Sequence, residues 1–184
     1  MKVEKTNIPG VLVLEVNAYQ DQRGSLVEVF ERSQFEDIGI KDDFIQDVVT
    51  NSPVKNTIRG LHFQNFPCAQ SKLIRCDRGA FFDVAVDIRK SSPTFGQYFS
   101  IELTDCSWTT LYLPVGIAHG FCTLKDDTRL VYKIAGKYSP EHSGGLAWND
   151  PRLNINWPTS EGASFISDRD RDLPVFDNAT AYFH

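Results

Sequence analysis

Short runs in which apolar and polar residues alternate recur along the chain, and they predict β-strands. In the clearest run, residues 80–88, Val84 and Val86 alternate with Asp83 and Ala85, as side chains do on the two faces of a strand. Comparable runs predict strands at 11–16, 25–30, 44–49, 58–64, 72–76, 97–103, 109–113, 120–124 and 129–134. Turn residues separate these runs at the spacing that is typical of a β-sandwich or barrel.

A helix is predicted only near residue 35, where Ser33 and Glu36 have the spacing of a capping box. Gly39 follows at the position where such a helix would end. The tail from Tyr138 is rich in Pro, Gly, Asn and Asp, and we expect at most one short helical turn there. The chain of 184 residues has no visible repeat or linker. The pattern therefore predicts one all-β domain, 1–184, most simply an antiparallel jelly roll with a few short helices.

The predicted strand at 58–64 has unusual polar positions. Alternation places Gly60, His62 and Gln64 on one face and Arg59 on the other. A face that carries an imidazole and an amide indicates either a pocket, with His62 as a base or ligand, or a core histidine whose hydrogen bonds are satisfied. The alternation does not decide between these two interpretations.

A second histidine follows a Pro-x-Gly-x-x-His turn at 114–119, which resembles the second motif of the cupin superfamily. The pattern predicts that His119 lies at a barrel mouth. Metal-binding cupins have His-x-His and a later Glu in their first motif, whereas this chain has His62 and Gln64 and no nearby Glu. Two histidines and an amide make a poor metal site. A metal-dependent dioxygenase that uses these three residues is therefore only a remote alternative.

Composition narrows the possible partners. The net charge of −5 gives no general basic field for nucleic acid or an anionic membrane, although a local group of cations could bind a small anion. The four cysteines show no CxxC spacing and are typical of buried thiols in a reducing compartment. The first residues lack an apolar signal region, and no run has the length of a membrane span. We therefore expect a cytoplasmic protein.

Several blocks, taken together, resemble the dTDP-4-dehydrorhamnose 3,5-epimerases and related nucleotide-sugar epimerases. The most specific are Arg-Gly-Leu-His-Phe-Gln at 59–64 and Ser-Pro-Thr-Phe-Gly at 92–96. Other matching blocks keep the family order at 21–24, 44–47, 72–75, 83–89, 114–121, 132–133, 138–140, 148–150 and 155–158. The resemblance implies a cupin-type jelly roll, a homodimer, no metal or other cofactor, and a nucleoside-diphosphate 4-keto-6-deoxyhexose as substrate.

The resemblance also implies a role for individual residues. His62 matches the base, Asp170 the carboxylate that orients it, Tyr132 the acid, and Lys72 the cation near the C4 oxygen of the sugar. Further positions match substrate-binding residues: Arg23, Glu28, Gln46, Asp47, Arg59, His119, Tyr138 and Arg169. From the residues alone, the four cations could instead be ordinary surface ions, Tyr132 a core tyrosine, and the acidic stretch 166–170 a capped surface turn. These cations are Arg23, Arg59, Lys72 and Arg169.

Two departures from the family pattern fall at expected pocket positions. Val48 follows Gln46 and Asp47 where the family usually has Asn, and Ser143 stands where the family often has Glu. They leave open whether both C3 and C5 of the sugar are inverted or only one of them. A non-catalytic module that binds a sugar nucleotide is a further alternative, against which the complete set of four catalytic matches argues.

Overall fold

The molecule is seen in a computed structural model that describes residues 1–159, 165–178 and 183. Within these residues, thirteen strands carry the fold: β1 Lys2–Lys5, β2 Leu12–Glu15, β3 Ala18–Asp21, β4 Gly24–Val27, β5 Phe44–Ser52, β6 Ile58–Gln64, β7 Ser71–Arg78, β8 Ala80–Asp87, β9 Tyr98–Thr104, β10 Thr109–Leu113, β11 Ile117–Thr123, β12 Thr128–Ala135 and β13 Ser143–Gly145. The short helices α1 Arg32–Asp37 and α2 Asp168–Arg171 accompany these strands. Among the described residues, no helix is long and apolar enough to cross a membrane.

Two antiparallel sheets pack face to face. One has the strand order β1-β2-β10-β7-β12-β5 and the other β13-β6-β11-β8-β9. Apolar side chains from both sheets meet between them, including Ile74 and Leu130 from the first and Phe81 and Phe121 from the second. From β5 onwards the chain crosses repeatedly between the two sheets, as it does in a jelly roll. The predicted architecture therefore agrees with the structure.

The outer faces of both sheets are also partly covered, which explains why β8 is buried along nearly its whole length. On the second sheet, Val84 and Val86 pack against Leu146 and Phe176 from the C-terminal part of the chain. On the first sheet, Phe35 of α1 packs with Leu14, Leu73 and Tyr112. The C-terminal covering layer matters for the site, because it also brings α2 against β6.

Several predicted boundaries were wrong. The N-cap of α1 is Glu31, whose carboxylate accepts from the amide groups of Ser33 and Gln34, and not Ser33. The strand predicted at 44–49 is longer than expected, because β5 continues through Ser52. His119 lies inside β11 and not in a turn before it. The short strands β1, β3 and β13 had no alternating pattern long enough to be noticed.

Strands β3 and β4 form a separate hairpin that joins neither large sheet. Its two strands are antiparallel, and Tyr19 lies directly opposite Leu26. Both side chains are largely exposed, at 71% and 74%. An isolated two-stranded hairpin is marginally stable in water, so this element is an unusual one for a chain to expose.

Candidate active site

A cavity of about 260 Å³ opens between the two sheets. His62 on β6 and His119 on β11 line it from the second sheet, and Lys72 on β7 and Tyr132 on β12 line it from the first. Its remaining walls include three further residues with predicted roles, Arg59, Tyr138 and Arg169. The fold thus brings to one cavity seven side chains that are widely separated in the sequence.

An extra residue in β6 interrupts the alternation that was expected for this strand. His62 pairs with His119 and Arg59 pairs with Phe121, so three steps along β6 correspond to two along β11. Such a β-bulge changes the face on which the following side chains lie. Arg59 therefore shares the cavity with His62, although strict alternation placed it on the opposite face. Its guanidinium also donates to Ser52 Oγ and to the Asn51 carbonyl, at 3.3 and 3.4 Å.

Gly60 is the residue at which β6 departs from regular alternation. Its φ is +119°, and a Cβ built there would lie 2.5 Å from Gly120 Cα and 2.7 Å from the His119 carbonyl oxygen. A side chain at this position would therefore collide with the main chain of β11. The close approach of two glycines lets the bulge form next to the two histidines of the cavity.

His62 is held by a carboxylate. Its Nε2 lies 2.8 Å from Asp170 Oδ1, and the other carboxylate oxygen accepts from the Gly60 amide at 3.0 Å. Burial alone would raise the pKa of Asp170, but the hydrogen bonds from His62 and Gly60 keep it below the ordinary value. Because an ionised carboxylate accepts hydrogen bonds, Nε2 carries the proton and Nδ1 keeps the lone pair. This arrangement suits a base.

The helix α2 places Asp170. Ser167 is its N-cap, and the Ser167 hydroxyl accepts from the Asp170 amide at 3.2 Å. The capping pattern at 166–170 was compatible with a surface turn, but the Asp170 carboxylate is buried against β6. Asp170, which the resemblance matches to the orienting carboxylate, thus lies within hydrogen-bonding distance of His62.

His119 has a carboxylate partner of its own. Its Nε2 lies 2.7 Å from Asp83 Oδ1, and both side chains are buried. Burial lowers the pKa of His119, although Asp83 opposes the change. Asp83 was not among the predicted site residues. The available signal was its position in 80–88, where a carboxylate shares the inward face with Phe81 and Ala85.

Lys72 and Tyr132 both have perturbed ionisation. Burial lowers the pKa of Lys72 to about 8, while the charge of Asp83 works in the opposite direction. Burial raises the pKa of Tyr132, so its phenol keeps its proton at neutral pH. The nearby Thr50 hydroxyl opposes this rise in the pKa of Tyr132. Within the described residues, Thr50 Oγ1 has no hydrogen-bond partner of normal geometry. A protonated phenol and a lysine whose pKa is lowered to about 8 thus line the cavity from the sheet opposite His62.

Four predicted binding residues do not line this cavity. Arg23 lies on the β3–β4 hairpin with its side chain 85% exposed and paired with Asp21. Glu28 follows the hairpin and accepts from Gln34 at 2.8 Å. The other two are on the edge strand β5: Gln46 lies outside the cavity lining, and Asp47 makes an ion pair with Lys133 at 2.7 Å.

The geometry gives little support to a metal site. Gln64 uses both ends of its amide on the main chain of Ser139, while Nε2 of His62 and Nε2 of His119 each meet a carboxylate. Across residues 1–159, 165–178 and 183, no three His, Cys, Asp or Glu side chains are grouped as metal ligands would be. The donor set is therefore poor for a dioxygenase.

Comparison with known proteins decides the family. A family model described as dTDP-4-dehydrorhamnose 3,5-epimerase matches residues 5–178. The chain belongs to the dTDP-4-dehydrorhamnose 3,5-epimerase family. A family relative from Salmonella typhimurium with the same name is 45% identical over 180 residues, which cover 97% of each chain.

Solved structures agree with this family assignment. The dTDP-4-dehydrorhamnose 3,5-epimerase of Bacillus anthracis, with TDP and PPi bound, has 43% identity and a TM-score of 0.91, covering 95% of this chain and 98% of its own. A 3'-monoepimerase of Streptomyces bikiniensis, in complex with dTDP-quinovose, has 34% identity and a TM-score of 0.85, covering 92% of this chain and 85% of its own. These matches confirm the predicted cupin-type jelly roll and the prediction that the chain is an enzyme.

Proposed function

We propose that the enzyme epimerises C3 and C5 of a nucleoside-diphosphate 4-keto-6-deoxyhexose, most simply converting dTDP-4-dehydro-6-deoxyglucose into dTDP-4-dehydro-L-rhamnose. The observation that carries the proposal is the placement of His62 and Tyr132 on facing sheets of one cavity. Inversion of a carbon centre requires that a proton leaves from one face and returns to the other. A base and an acid on opposite walls supply that requirement.

The reaction uses the acidity of protons next to the C4 ketone. Nδ1 of His62 takes the proton from C3 or C5, and the electron pair of that C–H bond moves into an enolate whose negative charge rests on the C4 oxygen. The Lys72 ammonium stabilises this oxygen. The Tyr132 phenol then gives its proton to the carbon from the other face, and the C4 ketone re-forms. Exchange with solvent restores the proton of Tyr132 and removes the one on His62.

The cavity also favours an anionic, polar ligand. Arg59, Lys72 and Arg169 line it, and guanidinium groups bind phosphate oxygens well. Within the described residues, Thr50 Oγ1 and Gln70 Nε2 are buried at this cavity without a hydrogen-bond partner. Buried polar atoms without partners are costly, and hydroxyl groups of a bound sugar would satisfy them.

Proton exchange in D2O tests this function. With dTDP-4-keto-6-deoxyglucose we expect deuterium at both C3 and C5, and His62→Asn should reduce incorporation by about 10²–10⁴. Tyr132→Phe should still wash out substrate protons but should not complete inversion, because the base remains and the acid is lost. Absence of exchange with any 4-ketosugar nucleotide would refute the proposal, and would favour the binding module.

Inversion of one centre is the second candidate. Val48 and Ser143, the two departures from the family pattern, both line the cavity, and a monoepimerase is among the similar structures. A changed wall could hold the sugar so that only one of its carbons reaches His62. Deuterium at a single carbon, in the exchange experiment above, would select this candidate.

We further propose that the enzyme is a cytoplasmic, single-domain homodimer in which the β3–β4 hairpin serves the cavity of the other copy. The hairpin exposes Tyr19 and Leu26 side by side and carries Arg23 outside its own cavity. Packing against a second copy would cover the two apolar side chains. It would also give Arg23 and Glu28 a route to the substrate, as the resemblance implies.

Mixing two inactive variants tests the shared cavity. In a mixed dimer of His62→Asn and Arg23→Ala, the intact His62 belongs to the subunit that lacks its own Arg23. If Arg23 acts in the other copy, one cavity per mixed dimer is complete, and an equal mixture should recover about a quarter of wild-type activity. No recovery, together with mixed dimers detected by mass spectrometry, would show that Arg23 acts within its own subunit.

A further inference from the structure

Gln64 is a buried residue of the cavity wall whose amide is wholly engaged with one other residue. Its Oε1 accepts from the Ser139 amide at 2.9 Å, and its Nε2 donates to the Ser139 carbonyl at 3.2 Å. The side chain is only 6% exposed. A buried amide that meets both polar groups of one residue acts as a two-point clamp, which fixes orientation as well as distance.

Ser139, the residue that Gln64 holds, belongs to the segment 136–139, which makes few hydrogen bonds to other elements. β12 ends at Ala135, and the main chain then runs through 136–139 to a 3₁₀ turn at Pro140–His142. Outside the strand ladders, no main-chain hydrogen bond among the described residues ties 136–138 to another element. The Gln64 amide is therefore the main polar attachment of this segment to β6.

Tyr138 immediately precedes the clamped residue. It lines the same cavity as Gln64, near Ser143 and Arg169, and its side chain is 56% exposed. An aromatic ring at a cavity mouth offers a flat apolar surface with a polar tip. Such a ring contributes most to binding when it is already held in place, because ordering it on binding costs conformational entropy.

We propose that Gln64 is a positioning residue, whose amide holds the 136–139 segment so that Tyr138 stays at the cavity mouth to contact the sugar nucleotide. The contact with a sugar nucleotide rests on the proposed function, whereas the clamp does not. Gln64 affects substrate binding through Tyr138, while His62 and Tyr132 carry out the proton transfers and Lys72 stabilises the enolate oxygen.

Two variants test the clamp. Gln64→Leu keeps similar bulk and removes both hydrogen bonds, and Gln64→Glu keeps an acceptor for the Ser139 amide while losing the donor to its carbonyl. Ser139→Ala is the matched control, because the Ser139 hydroxyl interacts with His142 Nδ1 at 2.8 Å and not with Gln64. We expect amide hydrogen exchange at Ser139 to be faster in Gln64→Leu, which removes its acceptor, and less affected in Gln64→Glu and in the control.

Binding provides the second measurement. Titration calorimetry with dTDP-glucose should show an affinity about five- to tenfold weaker in Gln64→Leu, the effect of one or two lost hydrogen bonds. In turnover we expect KM to rise by the same factor and kcat to stay within about twofold, since no proton-transfer group is touched.

A double-mutant cycle identifies the route. If Gln64 acts through Tyr138, then Gln64→Leu should have little further effect on dTDP-glucose affinity when Tyr138→Ala is already present. Additive losses, or a fall in kcat with unchanged KM, would overturn the positioning role. Unchanged exchange of the Ser139 amide in Gln64→Leu would overturn it as well, even if the protein proved not to be an epimerase. If the wild type did not exchange the protons of the ketosugar substrate while the amide-exchange results supported the clamp, only the proposed function would be contradicted.

Discussion

Replacing Lys72 by methionine should stabilise the protein while it abolishes epimerisation. Methionine keeps the unbranched shape of lysine and removes the ammonium group. Burial lowers the pKa of Lys72 from 10.5 to about 8, even with Asp83 nearby, and this difference corresponds to about 3 kcal/mol for holding the charged form in the folded protein. Lys72 is only partly buried, so solvent screens some of this cost. We expect Lys72→Met to raise the free energy of unfolding by about 1–3 kcal/mol at pH 7.

The gain should depend on pH in a defined direction. Below about pH 8, Lys72 is charged in both the folded and the unfolded chain, so the full cost is present. Between about 8 and 10.5 the folded protein loses the proton while the unfolded chain keeps it. The unfolded state then binds more protons, and the stability of the wild type rises with pH. The wild type should therefore approach the Lys72→Met variant across this range.

Urea unfolding at neutral pH and at about pH 10 measures both effects. Lys41→Met is a suitable control, because Lys41 is exposed and its replacement should give a small difference that does not change with pH. A Lys72→Met variant that is less stable than the wild type, or a stability difference that stays constant with pH, would refute the reasoning. Retention of full epimerase activity would refute the assignment of Lys72 to the enolate oxygen.

Three further variants probe the cavity. Asp170→Asn should lower turnover by about 10²–10⁴ with little loss of stability, because an amide still accepts from the Gly60 main chain but does not hold His62 in the required tautomer; pre-steady-state rates and thermal unfolding check this. Gly60→Ala should destabilise the fold by at least about 2 kcal/mol, measured in urea, since a Cβ collides with the neighbouring strand. Asp83→Asn should move the alkaline limb of the pH–rate profile to lower pH, because the Asp83 charge raises the pKa of Lys72; an unmoved limb would contradict the assignment.

Strand alternation predicted the framework because it depends on a local regularity. The strand at 109–113 was predicted with its observed bounds, Thr109–Leu113, and the two faces of 80–88 match the packing of Phe81 and Val84 into different clusters. Alternation failed at Arg59 because the extra residue in β6 depends on contact between two glycines on neighbouring strands. Such a contact is tertiary and has no periodic signal in one strand.

The site was predictable to the extent that a family resemblance supplied it. Alternation alone left His62 undecided between a core and a cavity position, and nothing local linked it to Asp170 on a short helix far along the chain. Asp83 escaped notice because its partner His119 lies on another strand. The separation of the Arg23 hairpin from both large sheets could not be predicted either, because a strand pattern does not say which sheet a strand joins.

The distance in sequence between His62 and Asp170, 108 residues, sets an order of events during biosynthesis. The other residues of the proposed mechanism, Lys72 and Tyr132, leave the ribosome well before Asp170 does. The last strand of the two sheets, β13, ends at Gly145, so strand pairing can begin while α2 is still being made. A nascent chain can thus hold a nearly complete cavity around a base that has no oriented tautomer. Under the proposed mechanism, we expect the site to be complete only when α2 docks on β6 and Asp170 reaches His62.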